Sequence, residues 1–321
     1  MARLALVVLL LLGLSGCAGE PAPPLRIAIS PWPGYELLYL AQEQGFFTDA
    51  GMDVRIVEMA SLGDARRAFE RRQVDGMAVT LVEVLEARAA TSRAPQVVLV
   101  TDWSDGADVL VARPPVTTLA ALRGRRIGVQ PGSLGTLVLA RALETVGLGL
   151  SDVVPVFVDE TRMADALAAG TVHAVVTYPP FSSALEGLDG AVTLFDSRSM
   201  PREIVDVVAI DAPVVAAHPG RIRALAEAFD RAVRFTREHP DVAHAVMAQR
   251  EGVPPSEFAG HLRAIRFADL ADQPALLAAG GSIDHTLREL DAVLRRLGRL
   301  SGATRLDDCL PATSLTVASR Q

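Results

Sequence analysis

The sequence predicts an α/β protein of two similar lobes, each a mostly parallel sheet flanked by helices, joined by two hinge crossings. Three observations predict it. Short apolar runs alternate with helical patterns from residue 25 to residue 195. The pattern then restarts. Arg26-Ile27-Ala28-Ile29-Ser30-Pro31 is matched by Arg126-Ile127-Gly128-Val129-Gln130-Pro131, and Val74-Asp75-Gly76-Met77-Ala78 by Val172-His173-Ala174-Val175-Val176, at nearly equal offsets. Finally, apolar runs at 108–112 and 204–210 sit where one lobe hands over to the other.

The elements follow in order. Residues 25–30 read as a buried strand, 35–44 as a helix closed by Gly45, and 54–59 as a strand. Residues 64–72 read as a helix with Ala65, Ala68 and Phe69 on one face. Strand 77–80, helix 82–90 and strand 97–101 complete the first lobe's pattern. The second lobe repeats it: strand 126–129, helix 135–146, strand 153–158, helix 162–169, strand 174–177, helix 181–188 and strand 192–195. Such alternation with short loops implies sheets covered on both faces. From Pro213 onward the chain reads as almost wholly helical, with long patterns at 221–237 and 283–297.

The N-terminus carries a different signal. Arg3, an apolar run from Leu4 to Leu12 and small residues before a cut site make a secretory signal peptide. A bilayer-spanning helix needs about 20 apolar residues, and this run is shorter. Leu14-Ser15-Gly16-Cys17 resembles the lipobox of bacterial lipoproteins. That resemblance implies cleavage before Cys17, acylation (palmitate among the chains) on its sulfur and amine, and a lipid-anchored place in the bacterial cell envelope, outside the cytoplasm. Ala18 to Pro24 forms a Pro-rich tether. The expected division is residues 1–16 signal peptide, 17–24 lipidated cysteine and linker, 25–110 with 205–321 lobe one including the C-terminal helices, and 111–204 lobe two.

Composition excludes several functions. The full chain carries a net charge of −7, and loss of Arg3 with the leader makes the mature chain more acidic still. Nucleic acid is a poor partner for it. Every fixed cation is an arginine. Only two cysteines occur, and with Cys17 acylated Cys309 has no partner for an intrachain disulfide. No Cys/His cluster has metal-ligand spacing, so neither a metal nor a cofactor is expected. No Gly-x-Ser-x-Gly elbow or Cys/His pair supports an enzyme.

The architecture resembles a bacterial periplasmic solute-binding protein of the two-crossing type (type II). The stretch Trp32-Pro33-Gly34-Tyr35-Glu36-Leu37-Leu38-Tyr39-Leu40-Ala41-Gln42-Glu43-Gln44-Gly45-Phe46-Phe47 resembles the first strand–loop–helix of the nitrate/sulfonate/taurine family of ABC-transporter binding proteins, which includes binders of thiamine-pyrimidine precursors. Leu119-Ala120-Ala121-Leu122-Arg123-Gly124-Arg125-Arg126-Ile127-Gly128-Val129 is similar to the segment opening the second lobe of many such proteins. The resemblance implies the extracytoplasmic component of an importer, a monomer, with a permease, an ATPase and a small-molecule ligand as partners. Two alternatives stand beside it: a ligand-sensing lipoprotein that signals to a membrane partner, and an enzyme related to thiamine-pyrimidine synthesis.

Ligands of open α/β sheets sit at the carboxyl ends of the strands. The loop 31–35 is therefore the first candidate, with Trp32 and Tyr35 as walls and Gly34 allowing close backbone approach. Thr80 and Glu83 follow another strand end. Ser133 and Thr136 open the helix of lobe two, where free N–H groups attract an anion or carbonyl; ligand contact and simple capping both remain open there. Tyr178 begins Tyr178-Pro179-Pro180-Phe181, where many family members have Trp-Glu-Pro, and Phe181 reads as core. Asp102 and Asp108 read as hinge and solvent-facing acids, whereas Trp103 and Asp105 read as a cleft-facing pair. Asp206 arrives on the second crossing. Glu36, Glu83, Asp102, Asp105 and Asp206 outnumber Arg113, Arg162 and Arg202 on these loops. A buried sulfonate or nitrate wants arginine or several N–H donors. The local balance points instead to an amine or a heteroaromatic ring.

Overall fold

A computed structural model of the chain describes residues 23–311. The expected signal peptide, Cys17 and most of the expected linker lie outside the described residues. Eleven strands form two sheets. The first contains β1 (Leu25–Ile29), β2 (Val54–Glu58), β3 (Gly76–Thr80), β4 (Pro95–Ser104), β10 (Val205–Asp211) and β11 (Ile265–Phe267), in the order β11-β4-β10-β3-β1-β2. The second contains β5 (Val109–Ala112), β6 (Arg126–Val129), β7 (Val154–Phe157), β8 (Ala174–Thr177) and β9 (Val192–Asp196), in the order β7-β6-β8-β5-β9.

Both sheets are mixed, and the reason lies in the crossings. β1 pairs in parallel with β2 and β3, and β6 with β7 and β8. The chain leaves β4 at its carboxyl end and enters the other lobe from the same side, so β5 runs antiparallel to β8 and β9. β10 returns the same way and runs antiparallel to β3 and β4. Each crossing strand is thus inserted against the direction of its new neighbours. The carboxyl ends of the parallel strands in both sheets meet at the crossings.

Local sequence explains the entry to lobe one. Gly45 takes a left-handed φ of 73°, which stops the helix Glu36–Glu43 and turns the chain so that Phe46 and Phe47 bury. The helices Pro219–Glu238, Pro240–Glu251 and Ser282–Arg296 return to pack on this lobe, the last against Leu81–Ala90. The Glu36 carboxylate is fully buried and held bidentately by the Arg250 guanidinium across this interface. One large apolar cluster runs from lobe one through the crossings into lobe two. A smaller one around Val111, Met163 and Leu167 packs on the second sheet. The C-terminal part is not wholly helical, since β11 adds a three-residue edge to the first sheet by pairing with the end of β4.

Candidate functional site

The two hinge crossings and the strand ends enclose a small cavity lined by Trp32, Leu62, Thr80, Asp108, Leu134, Tyr178, Ile204 and Asp206. In this closed arrangement it has about 10 Å³ of free space, roughly one water's worth. Residues from both lobes build it.

The lobe-one wall rises from the loop after β1. Trp32 donates its indole N–H to Asp102 Oδ1 at 3.1 Å, and the Tyr35 hydroxyl donates to Asp206 Oδ1. Both rings are buried. Tyr178, from the loop after β8, meets Trp32 edge to face with centroids 5.9 Å apart and packs on Phe181 behind it at 5.6 Å. The aromatic wall therefore spans the lobes.

The acids lie beside it. Asp102 on β4 and Asp206 on β10 are register partners in the sheet. Asp108 sits just before β5 and anchors its own backbone N–H on Ser104 Oγ at 3.2 Å. Asp102, Asp108 and Asp206 are each at most 2 % exposed. Each has a buried Oδ2 with no N–H or hydroxyl donor on it, the Asp102 and Asp206 carboxyls lie close enough to share a proton, and the Tyr178 hydroxyl is also without a partner. Burial pushes the Asp102 carboxyl up to about 7 and Asp108 to about 6. Asp206 is raised well above the usual carboxylate range by burial and the neighbouring Asp102.

Glu83 joins the lobes. Its Oε2 accepts from the Thr80 backbone N–H at 3.1 Å and from the Thr80 hydroxyl, closing a capping box on Leu81–Ala90. Its Oε1 accepts from the Leu134 N–H of lobe two at 3.0 Å, at the start of the helix Gly135–Glu144. Burial, with Glu86 nearby, raises the Glu83 carboxyl to about 7. In lobe two, Glu160 accepts from the Thr177 hydroxyl at 2.9 Å and is raised by burial to about 8.

The candidate residues thus divide. Trp32, Thr80, Tyr178 and Asp206 line the cavity, with Gly34, Tyr35 and Glu83 directly behind it. Ser133 is buried at the lobe junction, and its carbonyl accepts from Arg299 at 3.3 Å; Thr136 is half-buried one turn further on. The reading of Trp103 and Asp105 as a cleft-facing pair is corrected. Asp105 pairs with Arg266 at 2.7 Å on the outer edge, and Trp103 points away from Asp102 on the same strand. Asp102 and Asp108, expected to face solvent, are fully buried instead. Glu36 leaves the tally of cleft acids because Arg250 holds it. Asp108 was the functional candidate the sequence hid. It follows Gly106 and Ala107 in a polar loop, where a buried acid has no local signature.

Comparison with known proteins places this geometry. The model of the NMT1/THI5 like family matches residues 32–243, about two thirds of the chain. The chain belongs to that family. A curated relative from Escherichia coli, named a putative aliphatic sulfonates-binding protein, is 24% identical over 66% of this chain, and the match spans 61% of that relative's length. A solved structure, the alkanesulfonate-binding protein SsuA of Xanthomonas axonopodis bound to MOPS, superposes with a TM-score of 0.76 at 19% identity, covering 91% of this chain and 99% of that one. The desulfurization enzyme DSZB superposes at 0.62 with 20% identity, covering 89% and 96%. The two-lobe periplasmic-binding fold of these solved neighbours is therefore the fold of this chain. Among the described residues no group of His, Cys, Asp or Glu is arranged to hold a metal, and no helix is long and apolar enough to cross a membrane.

Proposed function

We propose that this chain is the extracytoplasmic, lipid-anchored binding component of an ABC importer, acting as a monomer on a permease and an ATPase. It captures a small organic molecule, an amine or a heteroaromatic compound, between its lobes. The observation that carries the reading is the enclosed cavity at the crossings, walled from both lobes and edged with unpartnered buried polar atoms. A ligand there touches both lobes and stabilises the closed form over the open one. The closed lobe surfaces then dock on the permease. An enzymatic reading draws no support from the site. Cys309, the cysteine among the described residues, is buried near the C-terminus with its thiol raised by burial to about 11, too high for a nucleophile.

A thermal-shift screen of the mature chain tests this. A ligand that binds only the folded state raises the melting midpoint. The panel contains sulfonates, nitrate, pyrimidines and small amines. At least one compound should raise the midpoint and, in small-angle scattering, shrink the particle. A set of hits that leave the particle's dimensions unchanged argues against capture by closure.

A further inference from the structure

We propose that the acids of the two hinge crossings form a cation subsite, in which Asp108 and Asp206, backed by Asp102, receive a compact protonated nitrogen carrying several N–H donors. This rests on the reading of the cavity as the ligand site and decides the charge of what enters it.

The first argument is a surplus of acceptors. Asp108 Oδ2 and Asp206 Oδ2 belong to cavity-lining residues and have no N–H or hydroxyl donor on them; Asp102 Oδ2 behind them has none either, and the Asp102 and Asp206 carboxyls lie close enough to share one proton. Buried polar atoms in folded proteins almost always find partners. A buried carboxylate without one is especially unfavourable.

The second argument is a shortage of donors. No Arg, Lys or His lines the cavity. Most donors nearest to it are engaged: the Trp32 N–H on Asp102, the Tyr35 hydroxyl on Asp206 and the Thr80 hydroxyl on Glu83; among the lining side chains only the Tyr178 hydroxyl is free to donate. One hydroxyl cannot serve both Asp108 and Asp206, so the further donors come from outside. A positive charge on them also offsets the buried acids, which a neutral ring with N–H groups does not.

The third argument concerns the one place where an anion would settle. The N–H groups at the start of Gly135–Glu144 attract negative charge. Glu83 already supplies it, with Oε1 at 3.0 Å from the Leu134 N–H. An incoming sulfonate would have to displace that carboxylate and then sit beside Asp108 and Asp206. The aromatic rings of Trp32 and Tyr178 at the cavity wall add attraction for a cation. The raised proton affinities of these acids agree: burial beside one another favours a positive charge, a proton or a bound cation, between them. Asp102, Glu83, Glu160, Tyr35 and Tyr178 are the other titratable groups around Asp206 and Asp108, and Arg66 acts on Glu83 from lobe one.

The cavity as it stands holds a group of about one water's size, such as an ammonium head, and anything larger, guanidinium included, requires the lobes to part about the crossings. Its placement between the two crossing strands ties the charge directly to closure.

The test uses the mature chain at pH 8 and constant ionic strength, with methylammonium, guanidinium, tetramethylammonium, ethanesulfonate and nitrate at millimolar concentration. Methylammonium and guanidinium should raise the melting midpoint. Tetramethylammonium, a cation without N–H donors, should do so less, and the two anions not at all. Asp206→Asn and Asp108→Asn should each weaken guanidinium binding at least tenfold by calorimetry, while Asp105→Asn, at the Arg266 surface pair, leaves it unchanged. The cation-against-anion comparison on the parent chain does not depend on any variant folding. Midpoints moved by ethanesulfonate or nitrate and by none of the cations overturn the cation subsite while upholding a binding protein. Unmoved midpoints with all five probes, or equal guanidinium affinity in Asp206→Asn, also overturn it. Cation binding that leaves the lobes open in scattering upholds the subsite and counts against the importer reading instead.

Discussion

A Cβ placed on Gly34 would lie 2.0 Å from Asp102 Oδ2 and 2.7 Å from its Cγ, so the loop after β1 and the acid on β4 fit only because residue 34 has no side chain. Real Cβ atoms do not approach so closely, and the neighbour here is a buried, hydrogen-bonded carboxylate that cannot swing away. Gly34→Ala should therefore destabilise the chain by about 1–3 kcal/mol, the usual range for overpacking. Adding Asp102→Ala should return part of that loss, because the clash partner is gone. Urea unfolding of the two single variants and the double variant forms a cycle that isolates the pair. Additive losses would show that the strain lies elsewhere.

Trp32 supplies both a wall and a donor, and two substitutions separate the roles. Trp32→Phe keeps an aromatic face but leaves Asp102 Oδ1 without its N–H. Such a loss costs about 1–3 kcal/mol of stability. Trp32→Ala and Tyr178→Ala each remove contact area from one lobe's wall and should weaken binding of the true ligand by about 1–3 kcal/mol. Calorimetry with any hit from the ligand screen reads this directly. Variants that melt lower yet bind like the parent would assign both rings to the core alone.

The proposed lipid anchor makes a prediction independent of the cleft. Cys17→Ser should abolish incorporation of a labelled fatty acid and leave the precursor uncut at that position. Autoradiography of immunoprecipitated protein reads both effects. Equal label on variant and parent would place acylation elsewhere or nowhere.

Much of the scaffold was legible because its signals are local. Arg126–Val129 and Ala174–Thr177 are strands in the structure over the same residues that their apolar runs mark. Ile204–Ile210 was legible as a crossing because it is apolar and follows the second lobe's last strand. The phase of β4 was not legible. Residues 97–102 are buried on both faces, so no polar–apolar alternation tells which side Asp102 takes, and a shift of one residue exchanges Asp102 for Trp103. Partners distant in the chain were equally hidden: nothing near Glu36 announces Arg250, 214 residues away. Glu83 was legible as a strand-end acid, but its bond to Leu134 exists only when the lobes meet. β11 is three residues long, too short for any periodicity.

The buried acids also set a pH dependence whose sign is opposite to that of surface ion pairs. Asp108 is held at about 6, Asp102 and Glu83 at about 7 and Glu160 at about 8, against ordinary values of 3.8 for Asp and 4.5 for Glu. Burial is the first cause in each case. A carboxyl with a raised folded-state pKa binds more protons folded than unfolded. Its contribution to stability is therefore most favourable below the unfolded value and declines as pH rises through the folded one. The closed protein should lose stability between about pH 4 and about pH 8. Urea midpoints measured at fixed ionic strength across that range should fall, and Asp102→Asn should flatten the slope by removing one of the titrating groups. A midpoint that instead climbs from pH 5 to pH 8 would mean that these acids are ionised and compensated in the folded protein, and that the unpartnered oxygens at the crossings have partners the closed structure does not contain.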